Sequence, residues 1–405
     1  MRNTLIFVFI TAGVFSFFIF SESFLSLGNN ASNFLASTFF SDSLTTKKVR
    51  EVYASSPFGP RRVKIVIVPG HDDDSWGTDF AGVKESTMNV ILGEKLYEML
   101  REDSRLEVFL VRDKSGYNGV FSDYFVKEKK SIENFILGHK LVMKNLIDNE
   151  LINIVPGMVH NDVVNDVAIK LYGINKWANE NNADIVLHIH FNDYPRKRMK
   201  IEGEHSGVAI YVPEKQYSNS KISRDVAESI WRELTKFYAP SDLPKEKEGI
   251  IEDQDLIAIG AYNTLDAAGL LVEYGYIYEP QFRNPKIREK IIEDLAFQTY
   301  LGLKSYFGVT DGPNTKQTIF LPHTWKDPIE NGIENNFDVL VLQVALSSLG
   351  LYPPSGFDLH DCPISGNFKN CTKASVKTFK EKYGLNSNRY VDKETINRLN
   401  ELFSQ

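Results

Sequence analysis

Two histidines stand two positions apart in ADIVLHIHFND (residues 183–193), a run that otherwise has the composition of a buried strand. Side chains alternate along a strand, so His188 and His190 share one face. A pair of imidazoles at the end of a strand either binds a metal ion or forms hydrogen bonds that are purely structural. This stretch alone leaves both interpretations open.

Three other residues could complete a metal site with this pair. His71 follows the strand VKIVIVPG, Glu85 stands at the start of the next helical pattern, and Glu273 lies near the end of the apolar run LLVEYG. Ligands of open α/β sheets gather beyond the C-terminal ends of the strands, where these residues fall. Two imidazoles and a carboxylate suit zinc and leave a fourth position for water, and a further glutamate could move protons.

Each of these residues also has a structural interpretation. A lone histidine after a strand is usually structural, and a glutamate at a helix start is favoured by the helix dipole. Glu273 is the least ordinary of them, because an unpaired buried carboxylate is costly. Their combination at the ends of successive elements indicates a hydrolytic metal site more strongly than any single member does.

An α/β scaffold is needed to bring these residues together. Between residues 62 and 308, β-branched apolar runs alternate with patterns of helical spacing, which predicts a mostly parallel sheet flanked by helices. Residues 331–405 are predicted to form a small all-α unit of three helices. Segments 22–61 and 309–330 have the composition of linkers.

Size and charge restrict the class of partner. The chain has 405 residues, which exceeds one compact domain and agrees with two folded units. There are 53 acidic residues against 46 basic ones, the formal net charge is −7, and no long basic run appears. This pattern argues against a nucleic-acid partner and favours uncharged sugars or peptides.

The N-terminal segment 1–21 differs in character from the rest. After Arg2, an apolar run extends from Leu5 to Phe20, enough for about 24 Å of helix. The run has no polar face, which argues against a helix buried in the fold. We expect an export segment that is either retained as a membrane anchor or cleaved after its apolar run. The rest of the chain is therefore expected outside the cytoplasm, in the cell envelope or secreted.

The two cysteines, Cys362 and Cys371, stand nine positions apart. Outside the cytoplasm they could form a disulfide that closes a small loop, and the alternative is two free thiols packed in a small domain. They make a poor zinc site because no paired histidines stand nearby.

The candidate residues lie in blocks that resemble the zinc-dependent N-acetylmuramoyl-L-alanine amidases of bacterial cell walls (the Amidase_3 group), over roughly residues 64–307. VPGHDDDSWGTDFAGVKEST is similar to the family's opening Pro-Gly-His motif, which is followed by a ligand glutamate. VFLVRD resembles its Thr-Arg-Asp strand end, and WANENNADIVLHIHFND its Ala-Asn and Ser-Ile-His-Ala-Asn block. GLLVEYGYIYEP resembles its Leu-Val-Glu-x-Gly-Phe block.

This resemblance implies a zinc ion bound by His71, Glu85 and His190, with Glu273 as the catalytic glutamate. The implied reaction is hydrolysis of the amide bond between N-acetylmuramic acid and L-alanine in peptidoglycan, for wall remodelling or cell separation. His188 occupies a position where the family usually has serine. We expect it to support the ligands from behind, as we expect of Asn192, and the alternative is that His188 competes as a ligand.

The length of residues 113–165 is a second departure from the family. SIENFILGHKLVMKNLIDNEL, within this segment, has helical spacing. It is predicted to be either a lid or inhibitory helix over the cleft, or a helix packed against the domain.

The C-terminal unit is similar to a three-helix peptidoglycan-binding domain (PG_binding_1). Leu342, Gly366 and Phe379 match its pattern, whereas Lys380 stands where glutamine is usual. Most matches are core positions of any three-helix bundle, so they predict the fold better than the binding. A wall-binding unit beside a wall-cutting one would raise the local concentration of substrate.

Two other functions are compatible with the sequence. One is a non-catalytic peptidoglycan-binding scaffold, against which the intact His71, Glu85, His190 and Glu273 argue. The other is a zinc carboxypeptidase acting on the stem peptide, which the sequence does not separate from an amidase. In every case peptidoglycan is the expected partner, with the membrane if the N-terminal segment is retained, and with any regulatory protein unidentified.

Overall fold

The computed structural model describes residues 44–155, 165–198, 200–259, 267–309, 317–386 and 390–404. The predicted export segment 1–21 lies outside these residues. Among the helices that are described, none is both long and apolar enough to cross a membrane.

One mixed sheet forms the centre of the fold. The strands of the described residues are β1 (Val63–Pro69), β2 (Asp79–Phe80), β3 (Val83–Lys84), β4 (Leu106–Leu110), β5 (Arg112–Asp113), β6 (Gly116–Tyr117), β7 (Ile185–Asn192), β8 (Ala209–Pro213), β9 (Ile250–Asp253) and β10 (Ala268–Tyr276). The central sheet has the order β4–β1–β7–β10–β8–β9, and β2–β3 and β5–β6 form two short antiparallel pairs. Strands β4, β1, β7 and β10 are parallel, whereas β8 runs antiparallel to β10. The predicted mostly parallel sheet is confirmed.

The helices of the described residues are α1 (Thr46–Ser55), α2 (Glu85–Arg101), α3 (Gly119–Lys127), α4 (Lys129–Asp148), α5 (Asn165–Glu180), α6 (Ser220–Leu234), α7 (Pro280–Arg283), α8 (Pro285–Tyr306), α9 (Phe337–Ser348), α10 (Asn370–Lys382) and α11 (Lys393–Phe403). A 3-10 turn spans Ile257–Ile259. Helices α2, α6 and α8 share one buried cluster with Ile67 and Leu187 on one face of the sheet. Val66 and Val68 face the other side, where α3 and α5 cover them. The predicted flanking helices are therefore present on both faces.

The predicted insertion, residues 113–165, contributes α3 and α4. Phe121 and Phe125 of α3 and Ile132 of α4 are buried in the cluster that covers Val66. Farther along α4, Met143 and Leu146 pack with Tyr211 and Leu271 of the sheet, in a third cluster. The described part of the insertion is thus packed against the domain, and its role as a lid or inhibitory helix stays a prediction.

Strand β9 was not anticipated from the sequence. It has four residues and follows the charged stretch PKEKEG, so its apolar pattern is too short to indicate a strand. Its backbone pairs in parallel with β8, from Ile210 opposite Ile250 to Pro213 opposite Asp253. Pairing with a neighbouring strand, rather than local propensity, accounts for it.

Parts of both predicted linkers are packed rather than free. Helix α1 falls within the predicted linker 22–61, yet Val49 and Tyr53 are buried in the main core. Trp325 falls within the predicted linker 309–330, yet it is 1% exposed, and its indole N–H donates to the Asp338 carbonyl. Both linker predictions are wrong for these stretches, because apolar side chains too sparse to show a periodic pattern still find tertiary partners.

The C-terminal unit consists of α9, α10 and α11 and is continuous with the main core. The glycine Cα of Gly366 approaches the Ile287 side chain of α8 so closely that a Cβ there would lie 3.2 Å from its Cδ1. The imidazole Nδ1 of His360 lies 2.9 Å from the Ser206 hydroxyl. The disulfide between Cys362 and Cys371 is formed, and it begins two residues after His360.

Asp294 of α8 is a buried carboxyl group close to where the chain passes from the catalytic domain to the C-terminal unit. Its oxygens accept hydrogen bonds from the Tyr238 hydroxyl at 2.8 Å and the Thr318 hydroxyl at 3.0 Å, which fixes the chain that leaves the catalytic domain. Burial raises the pKa of Asp294 from 3.8 to about 6, although these hydrogen bonds oppose the shift. The folded protein therefore holds this proton more tightly than the unfolded chain does.

The protein is expected to lose stability at this position as the pH rises from about 4 to 6. A folded pKa above the unfolded value contributes stability that is complete below pH 4 and absent above pH 6, in total roughly 3 kcal/mol. Denaturant unfolding at pH 4 and pH 7 should show this loss for the natural protein relative to Asp294→Asn, which cannot ionise. The exposed Asp327→Asn is the control, and equal pH profiles for all three proteins would contradict the assignment.

Candidate metal centre and active site

His71, Glu85 and His190 meet at the C-terminal edge of the sheet. His190 Nδ1 lies 3.0 Å from Glu85 Oε1, and His71 Nε2 lies 3.3 Å from Glu85 Oε2. One ligand atom from each residue falls within 4.8 Å of the other two. The three residues form a cluster that can hold a metal ion, as the spacing along the chain predicts.

Two glycines make room for this cluster. A Cβ on Gly70 would lie 2.2 Å from the His190 ring, and a Cβ on Gly77 would lie 2.2 Å from Glu85 Oε2. His71 itself adopts a left-handed backbone with a φ of 60°, an uncommon conformation for a residue with a side chain. The turn after β1 is therefore shaped to bring the His71 ring back towards Glu85.

Buried donors fix the carbonyl groups of this turn. The Arg112 guanidinium donates to the Pro69 carbonyl at 2.9 Å and to the Gly70 carbonyl at 2.7 Å. Asn89 of α2 also donates to the Gly70 carbonyl at 2.9 Å. Arg112 is 5% exposed, so these charge-assisted bonds lie away from water and hold the backbone that leads into His71 in place.

Two imidazoles and a carboxylate are a donor set that fits zinc. Two ligand atoms 2.0–2.1 Å from a tetrahedral ion are roughly 3.3 Å apart; each Glu85 oxygen lies near this distance from one histidine nitrogen, and one ligand atom from each of the three residues falls within 4.8 Å of the others. Backbone N–H groups of Thr78 and Phe191 donate to the same carboxylate at 3.1 and 3.3 Å, which sets its orientation. Such supporting hydrogen bonds are typical of metal ligands.

The charges of the cluster reinforce one another. Burial alone would raise the pKa of Glu85, but the attraction of His71 and the hydrogen bonds from both histidines lower it far below its usual range. Burial likewise opposes protonation of His71, whose pKa is nevertheless raised by the Glu85 carboxylate. Burial lowers the pKa of His190, against the effect of Glu85. An ionised carboxylate between two imidazoles is the charge state that binds a divalent cation.

Glu273 stands beside the cluster on β10. Its backbone is in register with His190 on β7, and its Oε2 is enclosed without a hydrogen-bond partner among the described residues. Burial raises the pKa of Glu273 well above its ordinary value, and the negative charges of Glu85 and Glu246 raise it further. A carboxyl group in this state is suited to accept and return a proton.

Glu246 is a buried carboxylate that the sequence analysis did not identify. It is fully buried and accepts hydrogen bonds from the Tyr211 hydroxyl at 2.6 Å, the Ser241 hydroxyl at 2.5 Å and the Asn192 amide at 2.9 Å. Asn192 therefore supports Glu246 rather than contacting the histidines. The stretch PKEKEG gives no signal of this, because its charge pattern is that of an exposed loop.

His188 makes no hydrogen bond to the cluster. Its ring is fully buried, and neither Nδ1 nor Nε2 has a hydrogen-bond partner within the described ranges. It is absent from the group of metal-ligand candidates found among those residues. Burial, together with the neighbouring His190, lowers the pKa of His188 to about 3, so the ring stays neutral.

A cavity of about 700 Å³ opens from the cluster along the sheet face that carries His188. His71 and His190 line one end of it, and Val68, His188 and Leu271 form its floor. Helix α5 and the turn at Ile257–Ile259 contribute the walls. Its volume is in the range of ligand-binding pockets.

Comparison with known families identifies both parts of the chain. The family model described as N-acetylmuramoyl-L-alanine amidase (Amidase_3) matches residues 65–304, which is more than half of the chain. The model of a peptidoglycan binding domain (PG_binding_1) matches residues 335–399. A search of curated proteins found no match.

Solved structures of amidases show a distant similarity. The CwlD amidase of Clostridioides difficile, in complex with the GerS lipoprotein, has 17% identity and a TM-score of 0.39, covering 62% of this chain and 100% of its own. Ami1 of Mycobacterium smegmatis has 12% identity and a TM-score of 0.39, with coverages of 63% and 100%. The catalytic domain of CwlV from Bacillus (Paenibacillus) polymyxa has 15% identity and a TM-score of 0.37, with coverages of 61% and 99%.

Replacing Glu246 with glutamine is expected to destabilise the protein by about 2–3 kcal/mol. In the natural protein, hydroxyl and amide groups donate hydrogen bonds to the Glu246 carboxylate. The glutamine side chain would place an N–H donor against some of these donors and would carry no charge, and hydrogen bonds to charged groups are stronger than those to neutral groups. Urea unfolding measures the difference. Glu248→Gln, two residues away and exposed, is the matched control, and equal stability of the two variants would show that the buried network contributes nothing.

Proposed function

The chain belongs to the N-acetylmuramoyl-L-alanine amidase family, enzymes that cleave peptidoglycan, and we propose that His71, Glu85 and His190 bind the zinc ion for this reaction. The observation that carries the proposal is the convergence of two imidazoles and one ionised carboxylate within 4.8 Å at the sheet edge. Neutral imidazole and carboxylate ligands in a three-residue set are typical of catalytic zinc, which keeps a coordination position open. Glu273 is proposed as the general acid and base.

The bond to be broken is the amide between the lactyl group of N-acetylmuramic acid and L-alanine. A zinc ion held by the cluster would supply Lewis acidity, which polarises the amide carbonyl and makes the attacking water more acidic. The raised pKa of Glu273, caused by burial, lets its carboxylate take a proton from that water. The water oxygen then forms the new bond to the carbonyl carbon.

The same glutamate completes the reaction. Its carboxylic acid returns the proton to the departing nitrogen as the carbon–nitrogen bond breaks, which leaves a carboxyl group on the sugar side and a free amine on L-alanine. Among the described residues, no hydrogen bond joins Glu273 to Glu246. The negative charge of Glu246 nevertheless favours the protonated form of Glu273. Asn192, Tyr211 and Ser241 hold that charge in place.

Action on peptidoglycan places the protein outside the cytoplasm. The apolar run from Leu5 to Phe20 is proposed to export the chain and to anchor it in the membrane if it is retained. The C-terminal unit is proposed to hold the enzyme on the wall, so that the catalytic domain meets a higher local concentration of bonds.

Glu273→Gln is expected to abolish amide hydrolysis while zinc binding persists. The amide cannot accept a proton from water, and loss of a general base typically costs 10²–10⁴-fold in rate. Purified peptidoglycan would be digested with each protein, and the soluble products would be read by mass spectrometry. The natural enzyme should release stem peptides with a free L-alanine amino terminus. Shortened stems still attached to sugar would instead mean a carboxypeptidase, and unaltered activity of the variant would exclude Glu273 as the base.

Removing either histidine of the cluster is expected to remove the metal. After dialysis against a weak chelator, the natural protein should retain about one zinc ion per chain by elemental analysis, and His71→Ala and His190→Ala should retain less than about a tenth of that. His323→Ala serves as the control, because this histidine lies in the C-terminal region, paired with Asp338. Zinc retained by both cluster variants would contradict the proposed ligand set.

A further inference from the structure

Asp72 is a buried carboxylate that directly follows His71, the first of the proposed metal ligands. Its side chain is 8% exposed. One of its oxygens accepts the backbone N–H groups of Asp74 at 3.1 Å and of Ser75 at 2.8 Å, which closes the turn after His71. A buried carboxylate is costly unless its charge is compensated, so the shape of this turn depends on the partners of Asp72.

Two side chains from separate elements hold the other oxygen of Asp72. The Lys170 ammonium of α5 lies 2.5 Å from Asp72 Oδ2, and the Tyr117 hydroxyl donates to the same oxygen at 3.1 Å. The Lys170 ammonium also lies 5.1 Å from the centroid of the Tyr117 ring, a cation–π distance. The three side chains therefore form one connected group, and its hydrogen bonds to charged atoms are of the stronger kind.

The turn that Asp72 closes also bears on the His71 ring. The Ser75 carbonyl accepts the backbone N–H of Asp72 at 3.1 Å, and the His71 imidazole also hydrogen-bonds to the Ser75 backbone. The His71 nitrogen that lies towards Glu85 is Nε2. A ligand histidine that donates its other N–H to a carbonyl keeps the tautomer and the orientation that a metal ion needs. Because Asp72 fixes Ser75, it also acts on His71.

The hairpin of β5 and β6, where the predicted insertion begins, contacts both neighbours of His71. Arg112 and Tyr117 stand directly opposite each other in this hairpin, which places their side chains together on one face. Arg112 donates to the carbonyl of Gly70, the residue before His71. Tyr117 donates to Asp72, the residue after it. The left-handed backbone of His71, with a φ of 60°, persists only where the surrounding structure holds it, as these two contacts do.

Packing within the insertion fixes the position of the Tyr117 ring. The centroids of the Tyr117 and Phe125 rings are 5.3 Å apart in an edge-to-face arrangement. Phe125 of α3 is itself buried in the cluster that covers Val66 of the sheet. The length of the insertion is a departure from the amidase family, so the family resemblance does not imply the contact between Tyr117 and Asp72.

We propose that Asp72 positions His71 for the metal ion by fixing the turn that carries it. Tyr117 of the insertion and Lys170 of α5 hold Asp72 in place for this task. This inference rests on the proposed zinc site and gives the insertion a role in it, as a support of the first ligand. Asp72 is not among the metal-ligand candidates of the described residues, so it acts through His71.

The role of the carboxylate is tested by zinc affinity, measured without substrate by competition with a chromophoric chelator. Asp72→Asn should raise the zinc dissociation constant about ten- to hundredfold, the usual effect of losing a group that supports a metal ligand. Asp73→Asn removes the same charge from the next residue, which is exposed. This control accounts for the general attraction between a cation and a negative charge, and it should bind zinc nearly as the natural protein does. Equal dissociation constants for the two variants would overturn the proposal.

The part played by the insertion is tested with Tyr117→Phe, which removes the hydroxyl and keeps the ring packed on Phe125. Its zinc dissociation constant should rise about three- to tenfold, the effect of one lost hydrogen bond. Tyr124→Phe is the matched control. Tyr124 is another tyrosine of the insertion, and its hydroxyl donates to Glu180, which ends α5 at the opposite end of β7 from His190. Equal zinc affinity of the two variants would overturn the role assigned to the insertion.

Lys170 separates positioning from a structural contact. Lys170→Met should weaken zinc binding, and Lys170→Arg, which keeps the positive charge, should restore most of the affinity. The melting temperature of the metal-free form would be measured for every variant, and zinc would be titrated well below it. A contact that is only structural would lower this melting temperature and leave the zinc dissociation constant unchanged, and that result would overturn the proposal.

The zinc measurements and the digestion of peptidoglycan fail independently. If the natural protein binds zinc but releases no stem peptides, the proposed function fails, while the affinities of the variants still decide the role of Asp72. If the natural protein cleaves peptidoglycan and Asp72→Asn binds zinc as tightly as Asp73→Asn, the function stands and this inference fails.

Discussion

The Glu85 carboxylate is the interaction on which the rest of the site depends. One nitrogen of His71, in the turn after β1, and one nitrogen of His190, on β7, lie against its two oxygens. Its negative charge sits almost entirely out of water, so it is stable only while both partners and the two backbone donors stay in place. Neighbouring residues keep these partners in place: Gly70 and Gly77 leave room for the His190 ring and the Glu85 carboxylate, and the Arg112 guanidinium holds the Gly70 carbonyl.

The same carboxylate organises the chemistry beyond the cluster. Burial raises the pKa of Glu273, and the negative charges of Glu85 and Glu246 raise it further. Three carboxyl groups in one small region would repel one another if all were ionised and unpaired. The structure instead gives Glu85 two histidines and gives Glu246 a set of neutral donors, whereas burial raises the pKa of Glu273.

The candidate metal cluster could be predicted from the sequence because its three residues lie at the ends of secondary-structure elements. His71 after Pro-Gly, Glu85 at a helix start and His190 at a strand end are visible from pattern and spacing alone, and the parallel sheet brings them together. The burial of Glu246 could not be predicted from the sequence, and the same holds for Trp325 and for helix α1. Each lies in a polar stretch whose composition indicates solvent, and its burial is decided by partners far along the chain, such as Tyr211 for Glu246 and Asp338 for Trp325.

The packed joint between the two folded units has a geometric consequence for a wall enzyme. A flexible linker would let the catalytic domain take many positions around the point where the C-terminal unit is attached. Here Trp325 is buried, Gly366 lies against Ile287, and His360 reaches Ser206, so side-chain contacts join the C-terminal unit to the catalytic domain. If the C-terminal unit binds the wall as proposed, a catalytic domain packed against it would cut at a fixed distance from the binding point.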